Sequence, residues 1–387
     1  MRAYMDYAAT TPVDPRVLKA MKPYFTEKFG NSMSLHIEGR IAKEALEESR
    51  AMVAAMLNVE PKEVIFMGSA TESTNMALKG VAFANRKKGK HIIISSIEHH
   101  CVLEPARWLE KQGFEITYLP VDKYGLINHT ELENRIRKDT ILVSIMHANN
   151  EVGTLQDIEK ISKLCNEKNV YFHSDAAQSF GKLPIDVKKM NLDLLSISSH
   201  KMYGPKGVGG LYVRKGTMIE PLLHGGGHEF GKRASTVNVA GVVGFAEAVR
   251  IQEKEMASDA KKQRKLRDKL IKGLSEIEDA HLNGHLTKRL PNNTNFWFAY
   301  IEGESLLMKL DMAGVSASTG SACSSKSLEA SQVLLALGLK PQECHGSLRL
   351  SLGKYTTKEE VDYVLEVVPK AVERLREISP LNKGWKQ

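Results

Sequence analysis

The chemistry of this chain starts from one lysine. In DLLSISSHKMYGPKG, residues 193–207, an apolar run leads straight into Ser198, Ser199, His200 and Lys201. A lysine amine is a nucleophile only after losing its proton, and desolvation at the end of a buried strand favours that loss. Upstream, Asp175 closes another apolar run in VYFHSDAAQS, where a charge needs a partner. An amine and a carboxylate on neighbouring strand ends suit pyridoxal phosphate, whose aldehyde takes the lysine and whose ring nitrogen takes the acid. Arg349 follows a short apolar run in GSLRLSL; its rigid guanidinium fork suits two-point binding of a carboxylate, and a surface salt bridge is the alternative reading. Cys323 lies in SASTGSACSSKS, a Ser, Ala and Gly stretch of the composition expected of a mobile loop. Such a segment leaves a thiol little to pack against, unlike Cys101 and Cys165, which read as buried cysteines.

These residues must be positioned by strands and helices. From about residue 60 to 215, apolar runs (VIFM at 64, HIIISS at 91, FEITYL at 114, ILVSIM at 141, VYFHS at 170, LLSIS at 194, GGLYV at 209) alternate with segments of helix length. The alternation predicts an α/β fold with a mostly parallel sheet, and in such sheets a ligand sits beyond the carboxyl ends of the strands. A long helix is expected from Val237 to about Leu274, with Leu266, Leu270 and Ile271 facing inward. Strands at TNFWFAY and GSLRLSL and a final helix after TTKEEV predict a smaller α+β domain. The expected division is an N-terminal segment 1–14 packing with the small domain, a large domain 15–255, and a small domain 256–387 that carries the cysteine loop.

With 387 residues, two domains is the natural expectation. The formal charge of +8 has clusters at RKKGK and KKQRKLRDK that read as solvated faces, so direct nucleic-acid binding is not expected. No apolar run reaches the roughly 18 to 20 residues of a membrane span, and the start of the chain lacks a secretory core. A soluble, cytoplasmic protein with reduced thiols is expected. Its four cysteines, Cys101, Cys165, Cys323 and Cys344, are widely spaced, which suggests neither a zinc knuckle nor a disulfide framework.

Gly68, Ser69, Ala70 and Thr71 open a helical stretch after VIFM. Amides at a helix start, with a hydroxyl beside them, suit a phosphate, although an ordinary capped helix has the same local signature. The two histidines of HGGGHE, residues 224–229, are not read as a metal pair, because the glycines between them disfavour the helix that would align them.

Taken in order, YMDYAATTPVDPRV, FGNSMSLHIEGR, GSATESTN, SSIEHH, MHANNEVGTLQDI, HSDAAQSFGKLPIDV, SSHKMYGPKG, HGGGHE, STGSACSS and LRLSLGKYTT span nearly the whole chain. In these motifs the sequence resembles the pyridoxal-phosphate-dependent cysteine desulfurases that serve iron–sulfur cluster assembly, in the branch with a long catalytic loop. The resemblance implies the class V, fold type I aminotransferase architecture. It implies Lys201, Cys323 and His99 as catalytic residues, with His99 stacked on the cofactor ring. Ala70, Thr71, Ser198, His200 and the neighbouring subunit's Thr236 would hold the phosphate. Asp175 would hold the ring nitrogen. Asn150 and Gln178 would contact the phenolic oxygen and the substrate, whose carboxylate goes to Arg349. Phe230 and the Ala234–Ser235 pair depart from the pattern usual near Thr236.

The implied reaction converts L-cysteine to L-alanine and leaves a persulfide on Cys323. Sulfur then passes to an iron–sulfur scaffold or another acceptor, the tRNA-thiolation pathway included. A homodimer is implied too, as is Cys323 as a cluster ligand shared with a partner. The competing readings are a selenocysteine lyase or related class V aminotransferase, and a non-catalytic sulfur-relay scaffold. Cys344 is a candidate for an auxiliary sulfur or metal role. The roles of Asn31 and His36 are left open.

Overall fold

The computed structural model describes residues 1–320 and 330–379. Its strands are β1 (Ala3–Tyr4), β2 (Val64–Met67), β3 (His91–Ser95), β4 (Glu115–Leu119), β5 (Thr140–Ser144), β6 (Tyr171–Asp175), β7 (Leu194–Ser198), β8 (Gly209–Val213), β9 (Ala280–Leu282), β10 (Asn293–Phe298), β11 (Val315–Ser316) and β12 (Ser347–Ser351). Strands β2 to β8 form one sheet in the order β2-β8-β7-β6-β5-β3-β4. The run from β7 to β4 is parallel, and β8 lies antiparallel to both of its neighbours.

The sheet is buried on both faces, which explains why its strands read as continuous apolar runs. Alternate side chains go to opposite layers, as the pleat requires. Phe66, Ile93, Val143 and Leu195 join the layer formed with the helices Ile37–Leu57 and Ile158–Glu167. Ile65, Ile92, Ile94 and Leu194 join the layer formed with the helix His100–Lys111 and the helical run from Ala70 to Asn85.

A second apolar core surrounds the antiparallel sheet β12-β10-β9 and includes one face of the helix Lys358–Ile378. Thr357 and Glu360 start that helix with a reciprocal capping box. The helix Val239–Leu274 runs unbroken through residue 255, the expected boundary. Val242 to Ile251 pack on the large sheet, and Leu266 to Leu274 pack in the second core. The N-terminal segment joins both parts. Ala3 and Met5 sit in the second core, β1 pairs with β11, and the Thr11 amide donates to the His200 carbonyl at 3.1 Å. Among the described residues, no helix is long and apolar enough to cross a membrane.

Candidate active site

Five strand ends meet at one cavity. β6 ends on Asp175, and β7 ends on Ser198, followed by the short turn Ser199–Lys201. β2 delivers Ser69, Ala70 and Thr71, β3 delivers His99, and β5 delivers Asn150. Together with Arg349 from β12, Gln178, Ala8 and Cys101, they line a space of about 280 Å³, close to the roughly 300 Å³ lower end of small-molecule sites.

Lys201 is held at the mouth of its strand. Its Nζ donates to the carbonyls of Ala8 at 2.6 Å and Ala9 at 2.7 Å, so the N-terminal segment supplies a rest position for the amine. Nearby, Lys182 donates to the Gln178 carbonyl at 2.8 Å. Burial, then the Lys201 charge, push the Lys182 amine down to about 7. The Gln178 amide donates to the Ala8 carbonyl at 2.9 Å. His200 sits 3.1 Å from the Thr10 hydroxyl, and burial with the surrounding lysine charges lowers its imidazole to about 4.

Asp175 is buried and oriented on both oxygens. Oδ1 accepts from the Ala177 amide at 2.8 Å, and Oδ2 accepts from the Cys101 thiol at 3.4 Å. Burial, followed by the Asp175 charge, raises the Cys101 thiol well above its ordinary value, so Cys101 acts here as a neutral donor. His99 caps the helix His100–Lys111, its Nδ1 accepting from the Cys101 amide at 3.1 Å. That bond assigns the ring proton of the neutral form to Nε2. Burial, partly offset by Asp175, lowers the His99 pKa.

Arg349 is buried rather than part of a surface ion pair. Its two terminal nitrogens donate to the Asn150 carbonyl at 3.1 Å and to Asp6 Oδ1 at 2.9 Å. Arg349 Nε and Asn150 Oδ1 are buried without a hydrogen-bond partner among the described residues, so a ligand with complementary polar atoms would satisfy them.

The residues fit pyridoxal phosphate. Ser69 caps the helical run by accepting from the Glu72 amide, while Ala70 and Thr71 occupy the first turn, where amides lack intrahelical partners. Gly209, opposite Ser198, makes room for this cradle: a Cβ there would lie 2.8 Å from the Ser69 carbonyl carbon and 3.0 Å from the Ala70 nitrogen. Lys201, Asp175 and His99 supply an amine, an acid and a flat ring around one space.

Not every expected residue converges there. Thr236 is exposed and is not among the cavity's lining residues. Cys323 and the loop around it lie outside the described residues. Cys344 is buried with Ile97, Val152 and Leu334, and burial pushes its thiol up to about 12, which makes it packing material. His36 caps the helix Ile37–Leu57, and Asn31 Oδ1 accepts from the Met33 amide. The HGGGHE stretch carries a different function from the one its histidines suggest. Glu229 is buried against Arg50, with bonds of 2.7 and 2.8 Å, and also accepts from the Phe66 amide. Among the described residues no cluster of three or more metal-ligating side chains occurs.

The sequence reading missed Asp6, the Ala8 and Ala9 carbonyls, Cys101 as the partner of Asp175, and Glu98. Glu98 is fully buried, accepts from Ser95 at 2.5 Å and from the Met146 amide at 2.8 Å, and burial raises its carboxyl to about 8. The detectable signal was an acid directly after the apolar run HIIISSI, in SSIEHH.

The aminotransferase class-V family model matches residues 3–364. A cysteine desulfurase IscS from Dictyoglomus turgidum is 53% identical over 99% of this chain and 98% of its own length. A cysteine desulfurase IscS from Methanosarcina thermophila is 56% identical over 98% of this chain and 94% of its own. Among solved structures, a NifS-like protein superposes with a TM-score of 0.92 at 43% identity, covering 97% of this chain and all of the other. SspA, solved in complex with cysteine, superposes with a TM-score of 0.82 at 39% identity, covering 92% of this chain and all of the other. The chain belongs to the class V aminotransferase family, among its pyridoxal-phosphate-dependent cysteine desulfurases.

Proposed function

We propose that the protein takes sulfur from L-cysteine, releases L-alanine, and holds the sulfur as a persulfide on Cys323 for iron–sulfur cluster assembly. The observation that carries this reading is the convergence of Lys201, Asp175 and Arg349 on one cavity, in a chain so similar to cysteine desulfurases. Pyridoxal phosphate, when bound, supplies an electron sink for bonds at the substrate's Cα. Lys201 would hold it, with Ala70, Thr71, Ser198 and His200 at the phosphate and Asn150 and Gln178 near the phenolic oxygen, all of them lining the one cavity. The Lys201 amine would move the proton at Cα.

Asp175 keeps the proton on the ring nitrogen, and the bonds from Ala177 and Cys101 fix the carboxylate in place. Arg349 receives the substrate carboxylate and so orients the Cβ–sulfur bond. His99 presents Nε2–H to the cavity and handles protons around the substrate thiol. The Cys323 thiolate attacks the substrate sulfur. The sulfur–sulfur bond forms as the carbon–sulfur bond breaks; one proton goes to Cβ and Cα regains the proton it gave up, which completes L-alanine. L-cysteine and one thiol thus become L-alanine and one persulfide.

The acceptor is a scaffold protein for cluster assembly, with Cys323 as the donating and cluster-facing residue. This work is placed in the cytoplasm, and the protein in a homodimer. The dimer is supported by the run of exposed apolar side chains Phe25, Phe29, Met33, Leu35 and Ile37, large enough to ask for cover, with Thr236 reaching the other subunit's phosphate. The division into parts 15–255 and 256–387 belongs to the same reading and is supported by the two separate cores; of the segment 1–14, Ala3 and Met5 pack in the second core while Thr11 and Asp14 bond to His200 and Tyr203 of the first part.

The test is Cys323→Ser in the holoenzyme. The cofactor's visible absorbance is expected to persist while alanine production and persulfide, followed by mass spectrometry, are lost. Undiminished alanine production from that variant would sink the assignment of Cys323.

A further inference from the structure

Glu151 follows Asn150, and its side chain is buried at 4% exposure. Its backbone is tied on both sides. The amide donates to Asn149 Oδ1 at 2.9 Å, and the carbonyl accepts from Asn293 and Asn295 of β10, each at 3.2 Å. The carboxyl is therefore presented from a fixed base. Oε2 accepts from the Ser331 hydroxyl at 2.6 Å. Ser331 in turn caps the helix Gln332–Ala336, accepting from the Leu334 amide at 3.3 Å.

Gly320 packs against the same oxygen. A Cβ at residue 320 would lie 2.4 Å from Glu151 Oε2 and 3.0 Å from Ser331 Cβ. One carboxyl oxygen thus touches the chain just before and just after the stretch that carries Cys323. Burying an acid is costly unless its partners compensate, and burial raises the Glu151 pKa, with Ser331 and Arg349 acting in the opposite direction. A position that served only to fill space would be occupied more favourably by an apolar side chain.

We propose that Glu151 is a positioning residue of the sulfur-transfer step: it joins the two stems at Gly320 and Ser331 beside Asn150, and so sets the approach of Cys323 to substrate held by Arg349. This rests on the reading of Cys323 as the sulfur acceptor. Gly320 and Ser331 are described residues on either side of the stretch that carries Cys323, so the loss of one carboxyl acts on both sides at once.

The experiment uses the holoenzyme and two readouts: steady-state alanine formation, and the rate at which iodoacetamide alkylates Cys323, read by mass spectrometry. In Glu151→Ala, kcat is expected to fall about 10-fold or more, since a misplacement on the order of 1 Å can cost up to 10²-fold. The Cys323 alkylation rate should shift by at least ~3-fold, while the KM for L-cysteine and the cofactor absorbance stay within about 2-fold, as expected when ground-state binding is untouched.

Glu151→Gln, whose amide oxygen still accepts the Ser331 hydroxyl, should recover most of the rate. Gly320→Ala should reproduce the loss, and its effect should shrink in the Glu151→Ala background, where the oxygen it strikes is gone. Ser331→Ala covers the case of an unstable Glu151→Ala protein, because it removes only the donor. Unchanged kcat and alkylation in Glu151→Ala and Ser331→Ala, with only a lower melting temperature, would mean a structural role and overturn the proposal. Independent, multiplying effects of Gly320→Ala and Glu151→Ala would overturn it as well. If Cys323→Ser keeps full turnover, the sulfur-acceptor reading fails, and with it the proposed role in transfer; the alkylation rate still reports separately on the stem contact.

Discussion

The cofactor side and the substrate side of the cavity are built differently. On the cofactor side, Asp175 and Lys201 follow directly from adjacent parallel strands, and Asp175 pairs in register with Ser196 on β7. Asp175 therefore sits one strand spacing, about 4.8 Å, from β7, and Lys201 lies in the turn Ser199–Lys201 directly after that strand, so this half is built on strand pairing. On the substrate side, Arg349 comes from the small antiparallel sheet and reaches the cavity only because the helix Val239–Leu274 and the N-terminal segment tie the two cores together. Its partners, Asp6 and the Asn150 carbonyl, come from two distant parts of the chain. One half is held by secondary structure and the other by tertiary packing, so damage to each should read out differently.

Lys201→Ala attacks the strand-built half and should have the largest effect. Alanine formation is expected to fall roughly 10³-fold or more, in line with losing a positioned acid–base group, and the absorbance of covalently held cofactor should vanish. Retained covalent absorbance would show that another amine holds the cofactor, with Lys182, bonded to the Gln178 carbonyl, an alternative. Arg349→Lys attacks the packed half. It keeps the charge and loses the fork, so kcat/KM should drop about 10- to 100-fold, the value of one charged hydrogen bond. Most of that loss should appear in KM, and the cofactor spectrum should stay intact. A spectrum altered as strongly as in Lys201→Ala would erase the distinction between the halves.

Glu98→Gln probes the wall beneath His99, with the smallest expected effect. The folded-state carboxyl is raised from its ordinary 4.5 to about 8, so the native protein keeps a proton that the unfolded chain gives up. Wild-type stability therefore falls as pH rises from 4.5 through 8, by the proton-linkage relation. The amide in Glu98→Gln accepts the same bonds from Ser95 and Met146 without titrating. Its melting temperature relative to wild type should rise by a few degrees between pH 5.5 and pH 8, measured on the holoenzyme. An equal offset at both pH values would show that Glu98 titrates normally.

The difference between the halves also explains what could be read early. VIFM, HIIISS, VYFHS and LLSIS identified strands because a sheet buried on both faces demands unbroken apolar runs. Polar residues that interrupt such runs at their carboxyl ends, such as Asp175 and His200, stood out for the same reason. Asp6, Cys101 and Glu151 gave no comparable signal. Each acquires its role from a partner far away in sequence: Asp6 from Arg349, Cys101 from Asp175, and Glu151 from Ser331. Glu229 is the sharpest case, since its neighbours in HGGGHE draw attention to histidines while the buried pair with Arg50 carries the packing.

The strands, the order of the motifs and the chemical identity of the amine, the acid, the guanidinium and the thiol follow from local pattern and side-chain type. Which carbonyls hold Lys201, which thiol faces Asp175, and which carboxyl joins Gly320 to Ser331 emerge from the packed fold. Those contacts depend on the path of the chain between remote residues, and no short-range periodicity encodes that path.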